Sequence, residues 1–190
     1  MLIAGRDLSP PALDYTARIA SLATKDLFTG VAHVCVVTAD VDRLVRVFAD
    51  RYGIGPWRVY VYDRSNMKVA VDGEGSDFSM RVALGSVGNC GIELIQPTGG
   101  RNPYTESLAR HDGADHVHHL KFDVSDFNAA AGHLEGLGMA RTLDGLFSGV
   151  DSKAQAHGVY FPTESDLGFT LEIGEMHEAF EPAPPEYTYP

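Results

Sequence analysis

Along this chain, apolar residues recur with two different spacings. Short runs that alternate or crowd apolar residues predict β-strands: VAHVCVV, WRVYVYD, DFSMRVAL and GIELIQP first, then HVHHLKFDV, GVYFPT and GFTLEIGE. Two intervening stretches switch to helical spacing. Leu44 and Phe48 carry the apolar face of the first, and Phe127, Ala130 and Leu134 that of the second. Gly53 and Gly138 close these stretches as helix C-caps often do.

The pattern is stated twice. When His33 is aligned with His119, each is followed seven residues later by an aspartate, Asp40 and Asp126. Each copy then runs through a helix and several strands to a glutamate inside an apolar run, Glu93 in GIELI and Glu172 in FTLEI. The expectation is an α+β fold of two β-α-β-β-β modules, residues 29–98 and 115–175, forming a curled mixed sheet around a cavity. Residues 1–28 read as an extension with a helix over Asp14–Leu27, and residues 99–114 as a linker with a short helix over Pro103–His111. Residues 176–190 have four prolines in the last ten positions and read as an arm without regular structure.

Ionisable residues in apolar strands need a compensating partner, because an unpaired buried charge is costly. Strand alternation places His33 with Cys35 and Val37, Glu93 with Gly91 and Ile95, His119 with Lys121 and Val117, and Glu172 with Thr170 and Gly174. A lone strand histidine is more often a core residue, and a lone strand glutamate often pairs with a cation such as Arg81 or Lys121. Four such residues obeying an internal twofold point instead to one divalent metal ion, held by His33, Glu93, His119 and Glu172. Zn, Ni, Co, Mn and Fe all suit two imidazoles and two carboxylates, with two positions left for water or substrate. His119 is preferred over His116 and His118 because only it sets Asp126 in register with Asp40.

Charge narrows the partners. The net charge is -11 over 190 residues and there is no Lys/Arg run, which argues against nucleic acid and anionic membranes. No apolar run approaches a membrane span, and the start MLIAGRDLSPPALDY lacks a signal-peptide core, so a cytoplasmic protein is expected. Cys35 and Cys90 read as small buried thiols rather than a disulfide framework.

The segments HVCVVTAD, GIELIQP, HHLKFDV and FTLEI, with the ligand order His, Glu, His, Glu, resemble the vicinal oxygen chelate superfamily. That superfamily includes glyoxalase I, methylmalonyl-CoA epimerase and the extradiol dioxygenases. The resemblance covers about Val31 to Gly174 and is strongest to methylmalonyl-CoA epimerase, through the His118–His119 pair, Pro97 and the 26-residue interval from Glu93 to His119. The epimerase usually has glutamine where this chain has Glu93, and metal-dependent glyoxalases I carry glutamate there. The epimerase's second catalytic carboxylate has no counterpart in FSMRVAL, where Arg81 lies near the expected place.

The resemblance implies a divalent-metal-dependent isomerase, epimerase or lyase that acts on a small carbonyl compound through a metal-stabilised enolate. Glu172 is then the proton carrier, and Lys121 either neutralises an oxyanion or pairs with a ligand carboxylate. An Fe(II) ring-cleaving dioxygenase and a non-catalytic, resistance-type binding protein are the alternatives; the fourth ligand, Glu93, counts against the former. His111, His116 and His118 are expected in loops or on the outer face. Trp57, Tyr60 and Tyr62 either line a pocket for a ring or pack within strands. Arg101 and Arg110 are the only nearby candidates for CoA phosphates, which favours a non-CoA substrate. A homodimer is expected, as is common in the superfamily.

Overall fold

Residues 26–190 are described by the computed structural model, and the helix expected over Asp14–Leu27 lies, but for its last two residues, outside them. In chain order the elements are β1 (Phe28–Val37), α1 (Val41–Arg46) with a π-type turn over Val47–Arg51, β2 (Trp57–Tyr62), β3 (Met67–Val71), β4 (Glu74–Ser76), β5 (Ser79–Val87) and β6 (Cys90–Gly99). Then come α2 (Pro103–Arg110), β7 (His116–Val124), α3 (Phe127–Gly136), β8 (Leu143–Ser148), β9 (Gln155–Phe161), α4 (Glu164–Leu167), β10 (Thr170–Met176) and β11 (Tyr187–Tyr189).

All the strands join one sheet in the order β11-β2-β5-β6-β1-β7-β10-β9-β8-β3-β4. The internal repeat is visible in this order. Outward from the middle, β1-β6-β5-β2 matches β7-β10-β9-β8, with β1–β6 and β7–β10 parallel and β1–β7 antiparallel. The paired aspartates have a local cause. Asp40 caps α1 by accepting the Arg43 N–H at 2.9 Å, and Asp126 caps α3 by accepting the Ala129 N–H at 2.9 Å. No helix among the described residues is long and apolar enough to cross a membrane.

Besides the C-terminal strand β11, three strands escaped the sequence pattern. β8 is the outer strand of the second module, while β3 and β4 leave the first module and extend the sheet beyond β8. Only the turn Asp63–Asn66 separates β2 from β3, and such a link spans at most about 18 Å. The sheet therefore curls until its two ends meet. Tyr62 of β2 and Phe147 of β8 touch edge to face across this junction, with ring centroids 5.3 Å apart.

Both faces of the sheet are covered. Outside, α1 lays Val41, Leu44 and Val45 on Trp57, Val59, Ala83 and Leu94, and α3 lays Phe127, Ala130, Ala131 and Leu134 on Val159, Phe161, Leu171 and Ile173. Inside, Cys35, Val37, Val82, Ile95, Tyr104 and Tyr160 belong to a third cluster around the cavity. Trp57 therefore packs under α1, against Phe48 at 5.4 Å, and does not line the cavity. Gly85 makes room for it, since a Cβ there would lie 2.9 Å from the indole. Tyr60 is buried away from the main cavity, and only Tyr62 of the three expected aromatics lines it.

The C-terminal arm corrects the expectation of an irregular tail. Between Pro185 and Pro190 the arm is free of proline, and Tyr187–Tyr189 adds an antiparallel strand to β2. Arg81 clamps this strand. Its guanidinium donates to both Asp42 oxygens (2.8 and 3.0 Å) and to Glu186 (3.0 Å), while Tyr187 donates to Asp42. Arg81 is thus committed to the arm and is not a partner for a ligand carboxylate. The Arg81 hydrogen bonds hold the Asp42 carboxyl below its ordinary range. Its stabilising effect is present above about pH 4 and is lost as the pH falls through the lowered value. Arg81→Met is expected to cost about 1–2 kcal/mol, a modest figure because Asp42 and Glu186 are partly solvated. In thermal unfolding followed against pH, the variant should also show a shallower loss of stability on acidification.

Candidate metal centre

The antiparallel pair β1–β7 sets Cys35 opposite His119 and His33 opposite Lys121. The flanking parallel strands set Glu93 beside Cys35 and Glu172 beside Lys121. A local twofold between β1 and β7 therefore relates His33 to His119, Glu93 to Glu172 and Cys35 to Lys121. Residues opposite one another across a ladder share a face, so all six side chains stand on the inner face.

A bulge alters the expected alternation. The register of β7 on β1 slips between Cys35–His119 and Val36–Val117, leaving His118 as the extra residue. His118 and His119 are both buried as a result, whereas Val117 is 50% exposed and does not share the His119 face. His118 is consequently not an outer-face residue. His111 and His116 do lie away from the centre, stacked on one another 3.7 Å apart.

The four residues singled out from the repeat converge. His119 Nε2 lies 2.9 Å from Glu172 Oε2 and 3.2 Å from Glu93 Oε2, and His33 Nε2 lies 3.3 and 3.5 Å from the same two atoms. The two Nε2 atoms are 3.3 Å apart. Donor atoms about 2.1 Å from a shared ion sit about 3.0 Å apart at right angles and about 3.4 Å apart at the tetrahedral angle, so the donor set fits a divalent cation. Two imidazole lone pairs and two carboxylate oxygens facing one another repel unless a cation lies between them.

The electrostatics agree. Burial opposes ionisation of Glu172, but the Lys121 charge and bonds from His119 and His33 outweigh it, holding the carboxyl well below its usual range. Burial also opposes ionisation of Glu93, and His33 and His119 outweigh it. Lys121 Nζ lies 3.0 Å from Glu172 Oε1, and this pairing keeps its ammonium charged despite burial. Burial pushes the Cys35 thiol up to about 12, so it stays neutral. The same twofold position thus holds a neutral thiol beside Glu93 and an ammonium beside Glu172.

Further groups surround His119. Its Nδ1 is 3.1 Å from His118 Nδ1, and burial drives His118 down to about 3, leaving it a neutral imidazole. The Tyr160 hydroxyl is 3.4 Å from His119 Nε2 and 2.9 Å from the Tyr104 hydroxyl. Sequence reasoning passed over Tyr160, although GVYFPT was read as a strand. The missing signal was register, which sets Tyr160 directly opposite Glu172. The centre opens into a cavity of about 460 Å³ lined by His33, Glu93, Glu172, Lys121, Tyr62 and Phe147 among others.

The profile of the Glyoxalase/Bleomycin resistance protein/Dioxygenase superfamily matches residues 32–161, and the chain belongs to this superfamily. Among solved structures it is similar to methylmalonyl-CoA epimerase from Mycobacterium tuberculosis, with 20% identity, TM-score 0.57, and coverage of 88% of this chain and 95% of that one. It is also similar to a variant of the Streptomyces coelicolor epimerase in complex with 2-nitronate-propionyl-CoA (19% identity, TM-score 0.56, covering 77% and 96%). A hypothetical protein from Bacillus halodurans C-125 is similar at 13% identity and TM-score 0.56, covering 80% and 96%. These likenesses are of fold. No curated protein matches the sequence significantly.

Gly174 is part of the centre's support. A Cβ there would lie 2.5 Å from the His157 carbonyl and 2.9 Å from Lys121 Nζ. Gly174→Ala is expected to displace Lys121 and lower stability by about 2 kcal/mol or more, measured by denaturant unfolding.

Proposed function

We propose that this protein is a divalent-metal-dependent enzyme that moves a proton next to the carbonyl of a small compound, as an isomerase, epimerase or lyase. The observation that carries this reading is the convergence of His33, Glu93, His119 and Glu172 on one point at the base of a cavity. These four side chains would hold the ion. When bound, a divalent ion supplies Lewis acidity that lowers the cost of negative charge on a substrate oxygen.

The chain's own groups supply the rest. Glu172 is the proposed proton carrier, because it faces the cavity and Lys121 fixes its carboxylate in one orientation. Lys121 also places a positive charge on the cavity wall, where it can meet a substrate oxygen. Glu93 has a neutral thiol at the matching position, which makes it the alternative carrier. Tyr62, Phe147 and Leu143 make apolar walls that limit water around the reacting atoms.

The test is proton exchange. Protein loaded with Zn²⁺ or Co²⁺ is incubated with acetoin in D₂O, and deuterium at the α-carbon is followed by NMR. Metal-dependent exchange is expected, falling at least about 100-fold in Glu172→Gln, which keeps an oxygen donor. A larger loss in Glu93→Gln would exchange the two carboxylates' roles. Stoichiometric metal without exchange would leave a binding protein and overturn the enzymatic reading.

His118 gives a separate check. A neutral His118 that shares a proton with His119 Nδ1 holds the His119 ring so that Nε2 faces the cluster. His118→Phe keeps a ring against Tyr104 but removes that bond, and metal affinity is expected to drop about 10–100-fold in competition with a chromophoric chelator. Unchanged affinity would reduce His118 to a packing role.

A further inference from the structure

We infer that the cavity is built for an uncharged, ring-bearing carbonyl compound and not for an acyl-CoA thioester. The inference rests on the metal-enzyme reading for the polar end of the cavity, and on independent features for the remainder.

The space beyond the cluster has aromatic walls. Tyr62 and Tyr160 line it together with Phe147, which meets Tyr62 edge to face, and Leu143, Val82 and Ile95 complete the apolar walls. Flat apolar groups bind well against such walls, because rings offer a large area with few rotatable bonds to freeze.

A row of missing side chains borders this space, with Gly158 and Gly174 in its lining. Gly145, Gly158 and Gly174 are register partners on the adjacent strands β8, β9 and β10. A Cβ at Gly158 would lie 3.0 Å from Glu172 Oε1, one at Gly174 2.9 Å from Lys121 Nζ, and one at Gly145 3.2 Å from the Phe147 ring. Each Cβ would crowd an inner-face side chain, and the one at Gly174 would also lie 2.5 Å from the His157 carbonyl, so the glycine row keeps that face of the sheet low beside the ion pair and beside the ring wall. The cavity's 460 Å³ is the size expected for a single compact ligand.

Charge excludes the alternative. Among the described residues lining the cavity, Lys121 is the only lysine or arginine, and it is already paired with Glu172. Asp123 and Glu175, which also line the cavity, are acidic. The phosphates of a CoA thioester would meet these carboxylates with no arginine to receive them. Of the two candidates from the sequence, Arg101 is bound to Asp72 at 2.8 Å and Glu74 at 3.3 Å, and Arg110 lines a separate, smaller cavity. The bare protein carries a net charge of -11, which further repels a polyanion.

The test is calorimetric titration of the full-length Zn²⁺-loaded protein, with zinc stoichiometry measured on the same sample. The titrants are 2-hydroxy-1-phenylpropan-1-one, acetoin and propionyl-CoA. The phenyl compound is expected to bind at least about tenfold tighter than acetoin, and propionyl-CoA to bind more weakly than either. Phe147→Ala is expected to lower the phenyl compound's affinity about tenfold. Equal binding of the phenyl compound and acetoin, or tighter binding of propionyl-CoA, would overturn the inference while a full zinc complement left the metal reading intact. Absent zinc with the phenyl preference retained would do the reverse.

Discussion

Two carboxylates, Glu93 and Glu172, face two imidazoles on the floor of a half-enclosed cavity, and the rest of the structure is arranged around that charge. Left alone, such a group repels itself and resists burial. The antiparallel meeting of β1 and β7 brings the two halves of the set together, and the parallel partners β6 and β10 add one glutamate each. Lys121 compensates part of the charge directly. The same negative field that favours a proton on His119 against the cost of burial also favours a divalent cation, which would release that proton on binding. The absence of a Cβ at Gly158 and Gly174 leaves room for the Lys121–Glu172 pair.

The twofold symmetry builds the site, and departures from it differentiate the two halves. Cys35 and Lys121 occupy the same position in the repeat, yet one is a neutral thiol and the other an ammonium. The two glutamates therefore stand in unequal fields, which is how a pair of carboxylates comes to hold different protonation roles. The bulge that turns His118 inward has its twofold counterpart in β1, where the register slips between Val31 and His33, but the extra residue there, Ala32, offers no imidazole to match His118. The exchanged strand β3 has no counterpart in the second module, and it is what brings Tyr62 and Phe147 face to edge over the cavity.

What the sequence made legible was local or repeated. His33, Asp40 and Glu93 recur as His119, Asp126 and Glu172 at nearly constant spacing, so both the capping aspartates and the candidate ligands could be read from one alignment. Strand β8 was missed because LDGLFS is short and its central glycine breaks the apolar run. β11 was masked by the prolines before it, although none falls inside Tyr187–Tyr189. The inward turn of His118 depends on a bulge that only pairing with β1 reveals, and Arg81 finds Asp42 and Glu186 through contacts distant in sequence. Trp57 and Tyr62 sit on one strand, yet the first serves the helix-covered face and the second the cavity, a choice fixed by strand register and not by residue type.

The most direct measurement of the central claim is metal stoichiometry by mass spectrometry on the purified protein, beside a Glu93→Ala/Glu172→Ala double variant. One equivalent of a single divalent ion in the parent chain and none in the variant is the expected result. No bound ion under any loading condition, or an ion retained in full by the variant, would contradict a centre built on these carboxylates.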